Sequence, residues 1–302
     1  MSDESSDPTD AREGFRDEYP FQSHFADIGG HCMHYIDEGT GETLLFVHGN
    51  PTWSFAWRNL IKQLRDDYRV VAIDHIGCGF SDKPHDYSYQ LDDRIRDLCE
   101  FIEALSLDRV TLCAHDWGGA IGMGAAVRQP HRFSRFVLMN TAAFRSQRIP
   151  FRIAICRIPF LGTLALRGLN AFSRAALKMA VQKPNRMTAA VRAGYLAPYN
   201  NWGNRIAVQR FVQDIPLADS HPSYQTLMDV EQGLEQFRDI PMLLVWGTRD
   251  WCFTTEFLEQ FERRFPNAES LRLDDAGHYV FEDAHERIVP RMQEFLTQHQ
   301  AT

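Results

Sequence analysis

Arg109-Val110-Thr111-Leu112-Cys113-Ala114-His115-Asp116-Trp117-Gly118-Gly119-Ala120-Ile121-Gly122-Met123-Gly124 is the stretch that decides the fold. An apolar, strand-like run ends at the tripeptide His115-Asp116-Trp117, and a run of small residues starts directly after it. The pattern predicts a strand, a tight turn and a helix, with Asp116 at the turn. A carboxylate there can attack carbon. A serine alkylated at an sp³ carbon would become an ether that water does not readily cleave, whereas an alkylated carboxylate is an ester that activated water can open. The plain alternative is an aspartate that merely caps a helix. The residues around it decide between the two.

Further strand-like segments flank this one: Leu44–Val47, Arg69–Ile73, Arg135–Met139, Met242–Trp246 and Ser270–Leu273. Short continuous apolar strands alternating with helical patterns indicate a parallel sheet covered on both faces. His34–Asp37 and the segment near Phe25 suit an antiparallel hairpin before it. From Ala142 to Pro222 no strand pattern occurs, and Pro150, Pro159, Pro184 and Pro198 punctuate a helical stretch. The expected organisation is a disordered acidic segment over residues 1–18, core over 19–141, an all-helical cap over 142–222 and core again over 223–302. The cap would roof the strand ends, where such sheets bind ligands. Its apolar residues Phe144, Phe151, Ile155, Phe160, Leu164, Leu169 and Phe172 are expected to be mostly core.

A chain of 302 residues can bury a large core, and 44% hydrophobic with 24% charged residues is ordinary for a globular enzyme. Six cysteines, at 32, 78, 99, 113, 156 and 252, show no metal-like spacing and read as buried free thiols. No metal and no cofactor are expected. Neither a signal peptide nor a membrane-length apolar run is recognisable, so a reduced, cytoplasmic setting is expected. Between Asp116 and Asp214 there is no acidic residue but there are 13 arginines and two lysines, a net +15; with −8 overall, −23 is left for the rest. Solvated arginines on a helical lid explain this plainly. A docking face for an anionic membrane surface or an acidic partner, including a second copy of the chain, is the sharper expectation. The acidic total and the lack of any recognition motif exclude nucleic acid.

Four loops after strands carry the candidate chemistry. Asp116 is the candidate nucleophile. His278, in Gly277-His278-Tyr279, is the candidate general base, and Asp250, in Gly247-Thr248-Arg249-Asp250, the acid that orients it. Asn140 stands at a rival acid position after Arg135–Met139, but it carries no charge. In His48-Gly49-Asn50-Pro51, the backbone N–H of Asn50 can join that of Trp117 as an oxyanion hole. The Asn50 amide and Trp117 indole are also neutral N–H donors suited to a departing compact anion. His115 is expected to support the turn rather than take protons.

The motifs His48-Gly49-Asn50-Pro51-Thr52-Trp53-Ser54, Asp74-His75-Ile76-Gly77-Cys78-Gly79-Phe80-Ser81-Asp82-Lys83-Pro84 and His115-Asp116-Trp117-Gly118-Gly119 resemble the haloalkane dehalogenase family. Asp250 with the donor pair Asn50 and Trp117 is similar to its third subfamily, and the likeness runs from about Tyr19 onward. It implies an α/β-hydrolase fold, attack of Asp116 on a halogenated carbon, halide release between Asn50 and Trp117, and ester hydrolysis by His278 and Asp250. The segments Asn140–Phe144, Arg167–Arg174 and Phe211–Leu217 resemble the β-lactone decarboxylases of bacterial long-chain olefin biosynthesis. Those enzymes share the same site residues and release CO₂ to leave an alkene. The dehalogenase is the first expectation, the decarboxylase the alternative, and the substrate is small and apolar in either case. Epoxide hydrolysis ranks lower: it would need Tyr195 and Tyr199 as proton donors, and both fit better as structural tyrosines. A silent ligand-binding protein would lose one of Asp116, His278 or Asp250, and all three are present.

Overall fold

The computed structural model describes residues 12–300. Its eight strands are β1 (His24–Ile28), β2 (His31–Glu38), β3 (Thr43–Val47), β4 (Arg69–Ile73), β5 (Val110–Asp116), β6 (Phe133–Thr141), β7 (Met242–Gly247) and β8 (Glu269–Leu273). They form one sheet in the order β1-β2-β4-β3-β5-β6-β7-β8. β1 and β2 make the expected antiparallel hairpin, closed by Gly29 and Gly30 at φ +58° and +80°, values glycine takes without steric cost. β2 also runs antiparallel to β4, and every later pairing is parallel.

Alternation along each strand sends side chains to two cores, one on each face of the sheet. Leu45 and Val47 of β3 join a core with Ile95, Ile121, Val230 and Phe261, which come from four helices. Leu44 and Phe46 point the other way, toward Trp57, Leu60, Ile288 and Phe295. β5 lies in the middle of the sheet with all seven residues buried, as a parallel strand covered on both faces should be. The architecture is an α/β sheet of the hydrolase type.

Between β6 and the helix Tyr224–Gly233, residues 142–222 contain only helices and turns among the described residues. Pro150 directly precedes the helix Phe151–Cys156, and Pro184 and Pro198 lie in 3₁₀ turns. Of the seven apolar residues expected to be mostly core, Phe144 is buried against Phe257 and Phe261. Phe172 lines a cavity. The other five, Phe151, Ile155, Phe160, Leu164 and Leu169, are exposed, which corrects the expectation. The short helices here have one inward face, taken by Ile153, Cys156 and Leu166, and these five lie off it.

The N-terminal expectation is corrected for residues 12–18, while residues 1–11 lie outside the described residues. Residues 12–18 form turns. Phe15 is buried edge-on to Trp53 and Phe55, and the Arg12 guanidinium sits 5.0 Å from the Tyr19 ring centre. One aromatic anchor and a cation–π contact overcome the acidic composition of the segment. The six cysteines are free; Cys78, Cys99 and Cys113 are buried and Cys32 is exposed, with Cys156 and Cys252 partly buried. Among the described residues, no helix is long and apolar enough to cross a membrane.

Candidate active site

β5 ends in Asp116, whose backbone sits at φ +54°, ψ −127°, and the helix Trp117–Arg128 starts at the next residue. A β-substituted residue at positive φ is strained, and such strain marks places where a side chain must be aimed. The turn is possible because the neighbours are small. A Cβ on Gly118 would collide with the Val47 carbonyl, and one on Gly49 with the Asp116 carboxylate itself. Thr141 at the end of β6 donates its hydroxyl to the Asp116 carbonyl and ties the turn to the next strand.

The Asp116 side chain makes no cap hydrogen bond to the helix, so it is not spent on capping. Instead its Oδ1 accepts the Asn50 backbone N–H at 2.7 Å, and the Trp117 N–H also supports the carboxylate. Its Oδ2 lies 3.6 Å from Nε2 of His278. On the far side of that ring, Nδ1 donates to Oδ2 of Asp250 at 2.8 Å. The three residues that the sequence spreads over more than half the chain therefore meet in one line of contacts.

Burial pushes the Asp116 carboxyl above its ordinary range, and Asp250 adds to this, while the His278 charge and the two N–H donors pull it back only in part. Burial alone would lower the His278 imidazolium, but the Asp250 carboxylate, its hydrogen bond and the Asp116 carboxylate raise it above the ordinary value. His278 thus holds a proton more firmly than a free imidazole does while Asp116 is ionised.

The supporting contacts explain how these groups are fixed. Asp250 Oδ1 accepts the Cys252 N–H at 2.7 Å, and its Oδ2 accepts the Asn140 amide at 3.0 Å. Asn140 also takes the Gly247 N–H on its Oδ1 and donates to the Gly247 carbonyl, so it clamps the start of the Asp250 loop. The residue set aside for lacking charge is a positioning group. Its signal was its place at the end of β6. His115 donates from Nε2 to the His278 carbonyl at 2.9 Å, and burial beside the His278 charge keeps its pKa well below the ordinary value. It supports the site without titrating near neutral pH. Asp283 accepts the N–H groups of Gly277, Gln182 and Lys183, joining the His278 loop to the cap.

Asn140→Ala should lower kcat about 10–100-fold with little change in KM, because it lets the Asp250–His278 pair drift rather than removing a binding contact. Steady-state kinetics beside a thermal melt checks this.

Asn50 and Trp117 line a cavity of about 380 Å³ together with Asp116 and His278. The Asn50 amide Nδ2 is 3.3 Å from the Val208 carbonyl, a long contact that leaves its second N–H available. A second cavity of about 130 Å³ shares Asp116, Trp117, Ile153, Ile215 and Cys252 with the first. Tyr195 and Tyr199 reach neither space. The Tyr195 hydroxyl donates to Glu282 at 2.6 Å and that of Tyr199 to the Thr52 carbonyl at 3.1 Å. Proton donation to an epoxide by these tyrosines is therefore excluded.

Residues 42–285 match the family described as alpha/beta hydrolase fold. The chain belongs to that family. Within it, this hydrolase-fold chain is 43% identical over 285 residues to the cis-3-alkyl-4-alkyloxetan-2-one decarboxylase of Shewanella oneidensis, covering 92% of this chain and 89% of that protein. It is 34% identical over 276 residues to haloalkane dehalogenase 2 of Mycobacterium tuberculosis, covering 89% and 93%. The solved haloalkane dehalogenase DatA from Agrobacterium tumefaciens C58 superposes with a TM-score of 0.83 at 26% identity, over 92% of this chain and 96% of that one. The resemblance to both groups of enzymes stands.

Proposed function

We propose that this enzyme is a β-lactone decarboxylase that converts cis-3,4-dialkyl oxetan-2-ones into alkenes and CO₂, with Asp116 as nucleophile. The carrying observation is the pair of apolar spaces that meet at Asp116. One is lined by Leu166, Phe172, Met179 and Val212, the other by Phe144, Leu227, Phe253 and Phe257. A dialkyl lactone bears two chains on adjacent ring carbons and needs two apolar arms diverging from the reacting atom. A primary haloalkane, with one reacting end, needs one. The 43% identity to the Shewanella enzyme supports the same reading, which was the alternative of the two sequence-based expectations.

The chemistry balances without water. Oδ1 of Asp116 is held by the Asn50 N–H, so Oδ2 attacks C4 of the ring. The C4–O bond breaks with its electron pair moving to oxygen, which leaves a carboxylate on C3 and an Asp116 ester on C4. The Asn50 amide and Trp117 indole are suited to hold that new anion. Loss of CO₂ then turns the C3–carboxyl electron pair into the C3=C4 double bond, and the C4–Oδ2 bond breaks to restore the aspartate. His278, protonated beside Oδ2, stabilises the carboxylate as it re-forms.

The deciding experiment is turnover of a long-chain cis-β-lactone and, separately, 1-bromobutane, both in H₂¹⁸O, with mass analysis of the Asp116 peptide. Rapid alkene formation with no ¹⁸O in Asp116 is expected for the lactone. Halide release faster than alkene formation would overturn the proposal. So would ¹⁸O uptake during lactone turnover, because water entering the ester carbonyl marks the hydrolytic route.

A further inference from the structure

The cap carries a second feature that the reaction does not use. Phe151, Phe160, Leu161, Leu164 and Leu169 are 77%, 91%, 56%, 57% and 66% exposed, all within a stretch of 19 residues. Soluble surfaces carry single exposed apolar residues without consequence, but a cluster of large ones marks an interaction site. The helix Phe151–Cys156 shows the arrangement: Phe151 and Ile155, four apart, face out, while Ile153 and Cys156, three apart, line the cavity. Leu164 repeats this beside Leu166, one residue outward and the other on the cavity wall. One segment therefore forms the cavity wall on its inner side and an apolar ridge on its outer side. Phe160, at the most exposed position, is held at φ +61°, a conformation that costs a bulky residue energy and that no packing of its own side chain rewards.

The charge around the ridge has one sign. Arg152, Arg167 and Arg174 form no ion pair among the described residues, Arg157 donates inward to the Val212 and Ile215 carbonyls, and no acidic residue occurs between Asp116 and Asp214. Arg167 instead lies over the Trp202 ring at 4.8 Å, and that ring is 46% exposed at the edge of the ridge. Protruding phenylalanine and leucine, a rim of arginine and a tryptophan at the boundary are the composition of a segment that lies in a membrane interface. A groove on a partner protein would require a matching concave surface, whereas the acyl region of a bilayer accepts a convex ridge of any shape.

We infer that the cap ridge seats the protein on an anionic lipid bilayer, with the apolar side chains in the acyl boundary, the arginines at the headgroups and the outer side of the cavity-wall segment toward the lipid phase. The surface stands on exposure and charge; its use for substrate entry rests on the apolar-substrate reading above.

The test floats the full-length protein with vesicles of phosphatidylglycerol and phosphatidylcholine, and with vesicles of phosphatidylcholine alone. Partition onto the anionic vesicles is expected to exceed that onto neutral ones by at least tenfold, and to fall as salt is raised. The double variant Phe151→Asp, Phe160→Asp should lose at least tenfold in partition while keeping its turnover of a short, water-soluble lactone, since neither side chain lines the cavity. The lipid and salt arms use the wild-type chain, so they hold even if the variant folds poorly. Equal partition on the two vesicle types, or none, overturns the inference. So does sedimentation showing a stable dimer that the variant dissociates, which would make the ridge a contact between the basic cap and the acidic remainder of a second copy. The vesicles contain no lactone, so failure here leaves the decarboxylase reading intact, and failure of alkene formation leaves vesicle binding intact.

Discussion

Asp116→Asn is expected to abolish turnover of lactone and haloalkane alike, by about 10⁴-fold or more in kcat, without lowering the stability of the fold. The amide is not a nucleophile at carbon, so no ester forms and neither route can begin. Its oxygen still accepts the Asn50 N–H that now binds Oδ1, and its volume is unchanged, so the turn keeps its geometry. Stability gives the second half of the prediction. Burial raises the Asp116 carboxyl above its ordinary range, which means that near neutral pH the folded state disfavours the charge relative to the unfolded chain. Removing that charge should leave the melting temperature equal or higher. Activity lost with stability kept is the signature of a site held against its own folding preference. Kinetics and calorimetry on the same preparation check both halves. A variant retaining more than about 1% of kcat would remove Asp116 from its role, because losing a true nucleophile leaves far less.

The strand segments and the line Asp116–His278–Asp250 were legible because Asp116 ends one strand and Asp250 and His278 stand in the loops that follow two others, and apolar runs mark strands well. Asn140 was not. Sequence reports that an amide carries no charge, but its hydrogen bond to Asp250 spans 110 residues and exists only once β6 and β7 are neighbours. The cap was half legible: helices and breaks follow from proline and composition, yet Phe151 and Phe172 look alike in sequence and differ only in which side of a thin layer they face. Arg12 to Glu18 failed for the opposite reason. Average composition predicted disorder, and a single residue, Phe15, found a pocket among Trp53 and Phe55. The substrate was the least legible element. The two cavities that meet at Asp116 combine Phe144 and Phe257 on one side with Phe172 and Met179 on the other, and no local motif encodes how such distant segments share a space.

His278→Ala is expected to separate the two candidate reactions of this site. With a haloalkane the variant should release one halide per active site and stop, leaving the alkyl mass on the Asp116 peptide, because no base remains to activate water. With a cis-dialkyl lactone it should keep turning over, slowed about 10–100-fold, because CO₂ loss expels Asp116 without water and only the stabilising charge at 3.6 Å is missing. The pH dependence of the wild type follows with the same sign. His278 binds its proton above the ordinary value, so the neutral form needed for hydrolysis grows in as pH rises through that raised pKa. Esterification removes the Asp116 charge, one of the contributions holding that proton, so kcat for a haloalkane should rise at lower pH than the free-enzyme imidazole titrates. Decarboxylation uses the protonated ring, so kcat for the lactone should stay level or decline over the same range. On the acid side both reactions fall together as Asp116, raised above its ordinary value, takes up its proton. Lactone kcat climbing with pH alongside the haloalkane reaction, or a single-turnover stop with lactone in His278→Ala, would mean that water opens both esters and that alkene formation is not the route this aspartate takes.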